Sequence, residues 1–284
     1  MAASTTGGKP GRVLIIAGSD SGGGAGIQAD VKTVTALGGY AATAIAALTA
    51  QNTRGVFAVL DVPADFVVRQ IQVVLEDIGA DCIKIGMLHR PEVVDAVTDA
   101  LARLAGGIPV VVDPVMLAKG GQPLLEDAAV NVLRRRLVPM ARVLTPNLPE
   151  AAALIGAPDP SAPAGAGPLA AEATARRLLD LGPAAVLLKG GHGEGPMLVD
   201  VLAEPGRPVE HFADARIATV HTHGTGCTLA SAVATGLAQG MSVRDAVVRA
   251  RAYVQEAIRT APGLGGGHGP LNHGHTVAPF PTGR

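Results

Sequence analysis

An α/β fold built on a mostly parallel sheet with helices on both faces is predicted by three features of the sequence. Apolar runs of strand length alternate with helical segments along the chain. Several runs, such as Val13-Leu14-Ile15-Ile16-Ala17, are apolar at every position, as a strand buried on both faces requires. Glycines and polar residues gather just after the runs, at Gly18-Ser19-Asp20, Gln51-Asn52, Gly86-Met87, Asp113, Thr145-Pro146-Asn147 and Lys189. Strands joined by helices imply right-handed crossovers between parallel neighbours. Sheets of this kind bind ligands beyond the carboxyl ends of their strands.

The elements follow in order. Residues 1–11 read as a loose tail, and Val13–Ala17 is the first strand. A glycine cluster leads into a helix over Ile27–Leu37, and Ala41–Leu48 is a second strand. Phe66–Asp77 has helical spacing, Cys82–Ile85 is a short strand closed by Gly86, and Pro91–Leu104 is a helix with proline at its start. Pro109–Val112 is a strand ending at Asp113-Pro114, Ala128–Leu137 a helix, Arg142–Leu144 a strand, and a helix opens at Leu148. Ala157–Pro168, rich in Pro, Ala and Gly, suits an exposed insertion. A helix over Leu169–Leu181 and a strand over Ala185–Leu188 precede a hairpin between Met197 and Val220, turned at Pro205-Gly206-Arg207-Pro208. Two alanine-rich helices close the fold, Cys227–Leu237 and Ser242–Thr260, and the rest is irregular. With no repeat and no linker, one domain over 12–276 is the simpler reading, with 277–284 a second tail.

Composition narrows the function classes. Hydrophobic residues are 48 % and charged residues 17 %, enough apolar material for a buried core. Aromatics are only 2 % with no Trp, so the core is Val, Leu, Ile and Ala. A formal charge of −1 argues against a grip on nucleic acid or an anionic membrane. No apolar run reaches membrane-spanning length, and two cysteines are too few for a disulfide framework. A cytoplasmic protein acting on a small molecule is the expectation.

Three constellations carry possible chemistry. Gly24-Ala25-Gly26-Ile27-Gln28-Ala29 fits the loose dinucleotide pattern, but the next strand ends in Thr49-Ala50-Gln51-Asn52 without the ribose-binding acid, which disfavours NAD. The glycines either make a tight turn or, with Asp20 and Asp30 flanking them, form a substrate shelf. No Walker A sequence occurs, yet Gly224-Thr225-Gly226-Cys227 offers a helix N-terminus able to hold phosphate. Cys227 falls in its first turn, where the helix field lowers a thiol's pKa and makes it a candidate base. Lys189 could reach a transferring phosphate or be an ordinary surface lysine. Asp113 and Glu150 could hold Mg²⁺ through water, although Glu150 also suits a helix start. The histidines, including His192, His221, His223, His268, His273 and His275, lack metal spacing and read as solvated or supporting residues. Cys82 reads as a small buried hydrophobe.

Taken in order, the blocks GSDSGGGAGIQAD (18–30), LTAQNTRGV (48–56), KIGML (84–88), DPVMLAKGG (113–121), TPNLPEA (145–151), KGGH (189–192) and HGTGCTL (223–229) resemble the ribokinase-like superfamily. Within it they are similar to the bacterial hydroxymethylpyrimidine/phosphomethylpyrimidine kinases of thiamine biosynthesis, from about Val13 to Asn272. The resemblance implies a three-layer αβα sandwich, a homodimer and two phosphoryl transfers from ATP with Mg²⁺. The first acts on 4-amino-5-hydroxymethyl-2-methylpyrimidine and the second on its monophosphate. It implies that Asp30 and Gln51 face the polar edge of the pyrimidine, that Gly18 contributes backbone, and that Met87 and Val115 are apolar walls. Gly224, Thr225, Gly226 and Cys227 would form the anion hole, with Cys227 the base or relay. Lys189, Asn147 and Thr225 would serve ATP, and Asp113 and Glu150 the metal. The chain departs from the family at Gly22, where Ser is common, and at Leu264–Pro270, where many members carry a lysine. Rival readings are a pyridoxal kinase, disfavoured by the GIQAD and TAQN blocks, and a non-catalytic pyrimidine-binding module.

Overall fold

The computed structural model describes residues 10–278 apart from 119, 120, 123, 157–167 and 192–194. Most of both expected tails, the Ala157–Pro168 insertion except Pro168, and His192 lie outside the described residues. The chain runs β1 (Arg12–Asp20), α1 (Gly26–Ala36), β2 (Tyr40–Asn52), β3 (Gly55–Asp61), α2 (Ala64–Asp77), β4 (Cys82–Ile85) and α3 (Pro91–Leu104). It continues with β5 (Val110–Val112), α4 (Asp127–Val132), β6 (Val143–Leu144), α5 (Leu148–Ile155), α6 (Pro168–Leu179) and β7 (Val186–Leu188). The hairpin β8 (Met197–Ala203) and β9 (Glu210–Ala215) and the helices α7 (Thr225–Ala238) and α8 (Val243–Arg259) follow.

The nine strands form one sheet in the order β3-β2-β1-β4-β5-β6-β7-β8-β9. Its six central strands are parallel; β3 and β8 run against them, and β9, antiparallel to β8, runs with them again. Alternation along β1 shows why the sheet is covered twice. Val13, Ile15 and Ala17 point to the layer of α1, α7 and α8, whereas Leu14 and Ile16 point to the layer of α2 to α6. This is the predicted three-layer αβα arrangement.

Three details differ from the sequence-based expectation. The strand β3 was missed because it lies at an edge and is half-exposed, so it lacks an unbroken buried run. Pairing with β3 carries β2 on to Asn52, four residues past the expected end at Leu48. The helix expected over Ala128–Leu137 is α-helical only to Val132 and widens into a π turn over Leu133–Leu137.

The chain leaves β1 leftwards to β2 and later returns to β4 on its right. The sheet's topological switch point therefore lies between β1 and β4, the crevice where α/β sheets bind ligands. There the register between β1 and β2 slips between Ala17 and Ser19, an irregularity that leaves Gly18 out of the ladder.

Candidate active site

Two glycine loops far apart in sequence meet at the switch point. Gly224 starts α7 with φ of 83°, and a Cβ on it would lie 1.9 Å from Gly24 O, so both its backbone conformation and its packing exclude a side chain. Asp20 fastens the first loop by accepting the amide N–H groups of Gly22, Gly24 and Ala25 at 2.8, 3.0 and 2.8 Å. Its Oδ2 also lies 2.9 Å from His223 Nε2, which ties the two loops together. Asp20 is therefore a clamp, with no face left for a substrate shelf. Of the two readings left open for the histidines, His223 and His273 take the supporting one, since both are buried; burial lowers the pKa of His273 to about 4.

The start of α7 faces a cluster of charges. A Cβ on Gly226 would lie 3.2 Å from Lys189 Nζ and 3.5 Å from Asp113 Oδ2. Lys189 Nζ donates to Asp113 Oδ1 at 2.8 Å and lies 3.9 Å from Glu150 Oε2. Thr145 Oγ1 donates to the same Asp113 oxygen. Glu150 is engaged in a capping box: its amide donates to Asn147 Oδ1 at 2.9 Å and Asn147 N–H donates to Glu150 Oε2 at 2.8 Å. Strand ends deliver each group, Asp113 after β5, Asn147 after β6 and Lys189 after β7. Burial pulls the Lys189 ammonium down, but Asp113 and Glu150 outweigh it, and the pKa ends above its ordinary value. Burial, helped by Asp113 and opposed by Lys189, pushes Glu150 up to about 7.

Cys227 corrects one expectation. Burial pushes its thiol up to about 12, even with the Lys84 charge acting the other way. Desolvation opposes the helix field that was expected to produce a thiolate, although the residue as a whole is only half-buried. At neutral pH the group is an S–H, not a resting base.

Asp30 corrects a second. It is fully buried beneath α7, with Oδ2 accepting from Lys84 Nζ at 2.8 Å and Oδ1 from Ser231 Oγ at 2.7 Å. Neither oxygen is free for a pyrimidine edge. The alternation of β4 turns Lys84 onto the α1–α7 face between Cys82 and the site, and the residue is 0 % exposed. Burial lowers the Lys84 pKa but Asp30 outweighs it, leaving it raised. Lys84 was not identified as a site residue from sequence, although a single lysine in the apolar run Cys82–Ile85 was a visible signal.

Beside Gly18 the structure gathers an apolar patch. Gly18 lies against Met87, with 3.1 Å between its would-be Cβ and Met87 Sδ. Met87, Ala47, Ala118 and Leu124 form a small buried cluster with Val115 packed on it. Beside it a cavity is lined by Gln51, Thr53, Arg54, Ala118, His223 and His268. The late glycine segment closes over this cavity: His268 N–H donates to Thr53 O at 2.8 Å, and a Cβ on Gly267 would lie 2.1 Å from that oxygen. At Gly266, where a lysine is absent, the nearest group is the Arg54 guanidinium, 2.8 Å from the would-be Cβ. Gly18 thus packs on Met87, with Val115 on the same cluster and Gln51 on the adjoining cavity, while Gly226, Asp113, Glu150 and Asn147 gather around Lys189.

A phosphomethylpyrimidine kinase family model matches residues 20–272. The hydroxymethylpyrimidine/phosphomethylpyrimidine kinase of Rhizobium meliloti is 48 % identical over 92 % of this chain and 96 % of its own. That of Escherichia coli is 44 % identical over 92 % and 97 %. The thiamine biosynthesis bifunctional protein ThiED of Geobacter sulfurreducens is 50 % identical, but this chain spans only 52 % of its length. Among solved structures, an ADP complex of Bacillus subtilis pyridoxal kinase superposes with a TM-score of 0.84 at 32 % identity, covering 94 % of this chain and 98 % of that one. The phosphomethylpyrimidine kinase of Clostridium difficile gives 0.76 at 39 % identity, covering 87 % and 99 %. With the ribokinase-like layers, the paired glycine loops and the match along nearly all of its length, the chain belongs to the phosphomethylpyrimidine kinase family.

Proposed function

We propose that the protein transfers the γ-phosphoryl group of ATP to the hydroxymethyl oxygen of 4-amino-5-hydroxymethyl-2-methylpyrimidine, and then phosphorylates the resulting monophosphate to the diphosphate. The observation that carries this reading is the contact of Gly226, in the first turn of α7, with Lys189 and Asp113. Open amides at a helix start, a buried ammonium and a carboxylate meet at one point, as the charge of a transferring phosphoryl group requires. The flat apolar patch of Gly18, Met87 and Val115, with Gln51 at its rim, suits the ring that offers the acceptor oxygen.

Phosphoryl transfer through a loose transition state depends on positioning and charge more than on a strong base. A protonated Cys227 is compatible with that demand, because an S–H beside the anion hole can donate to a developing charge and need not first lose its proton. Lys189 neutralises phosphate charge, and Thr225, whose Oγ1 donates to Thr222 O at 2.8 Å, steadies the loop. The donors Asp113 and Glu150 are hard oxygens flanking Lys189, a set that fits Mg²⁺ bound partly through water. When bound there, Mg²⁺ supplies positive charge to the phosphates.

A homodimer in the cytoplasm completes the reading. The edge strand β3 leaves Phe57 69 % and Leu60 65 % exposed, a face suited to a second copy. Coupled ADP release with the pyrimidine alcohol, its monophosphate and pyridoxal tests the activity. Turnover of both pyrimidines is expected, with pyridoxal used poorly or not at all; no turnover of either pyrimidine overturns the proposal.

A further inference from the structure

The β7–β8 ladder ends at the pair Leu188 and Val201, one residue before Lys189. Beyond it the backbone is held by single bonds. Lys189 N–H donates to Pro146 O at 2.8 Å, Gly190 N–H to Asp200 Oδ1 at 2.8 Å, and Arg216 Nη1 to Gly191 O at 3.1 Å. Gly190 packs directly on β8, where a Cβ on it would stand 2.0 Å from Val199 O. Asp200 is thus the acceptor that fixes the peptide joining Lys189 to Gly190.

The other oxygen of Asp200 is committed to α8. Leu187 and Leu202 point to the layer of α7 and α8, and Val201 to the opposite layer, so Lys189 and Asp200 both follow on the α7–α8 face. Phe212 stands opposite Asp200 on β9, and Asp214 shares its face two residues on. Arg251 comes down from α8 onto this patch. It pairs with Asp200 Oδ2 and Asp214 Oδ2, and its guanidinium lies 5.5 Å from the centre of the Phe212 ring. Only 8 % of the Arg251 side chain and 14 % of that of Asp200 reach solvent. Against an apolar pair of similar shape, such an ion pair is near neutral for stability. What an apolar pair could not supply is an oxygen of fixed direction for the Gly190 amide. Lysine makes that direction matter. Its ammonium rides on a flexible four-carbon stem, and Lys189 Nζ stands between Asp113, Glu150 and Gly226. A small turn of the peptide after Lys189 moves the root of that stem.

We infer that Asp200, held in place by Arg251, is a positioning residue for phosphoryl transfer: through the Gly190 amide it fixes the backbone from which Lys189 reaches the phosphates of ATP. The inference rests on the reading of Lys189 as the phosphate-binding cation, and it gives the β8–β9 hairpin and α8 a part in nucleotide use.

The test is steady-state kinetics of the full chain with ATP and the pyrimidine alcohol, each variant checked by thermal melting. Two double variants remove both charges, so that no buried ion is stranded. Asp200→Asn/Arg251→Met keeps an oxygen for Gly190, and Asp200→Leu/Arg251→Met fills the same space without one. Losing this hydrogen bond is expected to raise KM for ATP about tenfold in the leucine double, with KM for the pyrimidine changed less than about twofold. The asparagine double should recover most of that loss. Because the effect passes through Lys189, adding the leucine double to Lys189→Ala should change KM for ATP by less than about twofold again. Equal damage in the two doubles, parallel rises in both KM values, or a tenfold rise that persists without Lys189 would mean that the pair only supports the fold, and overturns the inference. Should the leucine double melt too low to assay, Arg251→Met decides. It frees Asp200 from its holder and leaves every contact of Lys189 itself in place, so KM for ATP should rise about threefold in the wild-type background and not in Lys189→Ala; no rise overturns the inference. A wild-type KM for ATP in Lys189→Ala instead removes the phosphate reading of Lys189, and the inference with it.

Discussion

Replacing Lys84 by methionine probes the charged group deepest in the molecule. Lys84 and Asp30 are both 0 % exposed and 2.8 Å apart. At an effective dielectric of ~20 their attraction is roughly 6 kcal/mol. Desolvating the two ions offsets much of it, so against an apolar pair the ion pair is near neutral. Removing Lys84 alone is different, because Asp30 keeps only Ser231 as a partner in a dry site. Breaking a buried pair in this way costs about 3–5 kcal/mol, a large part of the ~5–15 kcal/mol that holds a domain folded. With an m-value of roughly 3 kcal/mol/M, urea unfolding of Lys84→Met should show its midpoint about 1–1.7 M below wild type. The double variant Lys84→Met/Asp30→Asn removes the stranded charge while leaving an acceptor for Ser231, so it should be more stable than the single variant. Sign matters for pH. Burial raises the Asp30 pKa even beside Lys84, and without Lys84 it rises further. The folded state then favours the protonated acid, and the deficit of Lys84→Met should shrink as pH is lowered. A loss below about 1 kcal/mol, or a double variant less stable than the single one, refutes the buried-pair argument.

Three further outcomes follow from the phosphate half of the site. Gly226→Ala sets a methyl 3.2 Å from Lys189 Nζ, the movable end of a side chain; melting should be nearly unchanged while KM for ATP rises, and a normal ATP KM would mean that Lys189 does not need its present place. Glu150, raised from 4.5 to about 7, loses its charge as pH falls through about 7, so kcat/KM for ATP should fall there and Glu150→Gln should lack that inflection. By linkage the contribution of a raised acid to stability is present below about 4.5 and lost as pH rises through about 7, so Glu150→Gln should gain melting temperature at pH 8 and not at pH 4. Cys227, with its thiol near 12, should resist iodoacetamide at pH 8 until the protein is unfolded, and Cys227→Ala should lower kcat by about 10²-fold with ATP binding intact; rapid alkylation of the native enzyme would restore the thiolate that burial argues against.

What the sequence disclosed and what it hid divide along a physical line. Strands β1, β5 and β7 were legible because burial on both faces leaves long apolar runs, β4 despite the Lys84 within it, and their polar ends marked the crevice. The strand β3 was not, because one of its faces meets solvent and its pairing is with β2 alone. Lys189, Asp113, Glu150 and Asn147 were placed correctly at strand ends, since a parallel sheet aligns those ends whatever the loops do. Asp30 was misread because its chain neighbours lie in the glycine loop while its own turn of α1 faces the interior. Its partners Lys84 and Ser231 stand 54 and 201 residues away, and no local pattern announces them. The thiol of Cys227 failed for a related reason: a helix start is local and readable, whereas desolvation is a property of everything packed around it.

Those limits bear on substrate choice. The backbone superposes on a pyridoxal kinase at TM-score 0.84 and on a phosphomethylpyrimidine kinase at 0.76, while identity runs the other way, at 32 % and 39 %. Layers, switch point and anion-binding helix start serve any flat heteroaromatic alcohol, so similarity of fold cannot decide between two such rings. A decision has to come from groups that touch the ring edge, where one misplaced donor leaves a buried polar atom unpaired and discrimination becomes large. Polar groups that line the cavity beside the apolar patch include Gln51, His223 and the Arg54 guanidinium, which lies beside Gly266. The Gln51 amide is held at both ends, by Thr49 and by His223. An edge fixed in this way admits rings that match its hydrogen bonds and excludes rings that do not. Substrate preference in this protein should therefore follow substitutions at Thr49, Gln51 and His223 more closely than any change in the glycine loops.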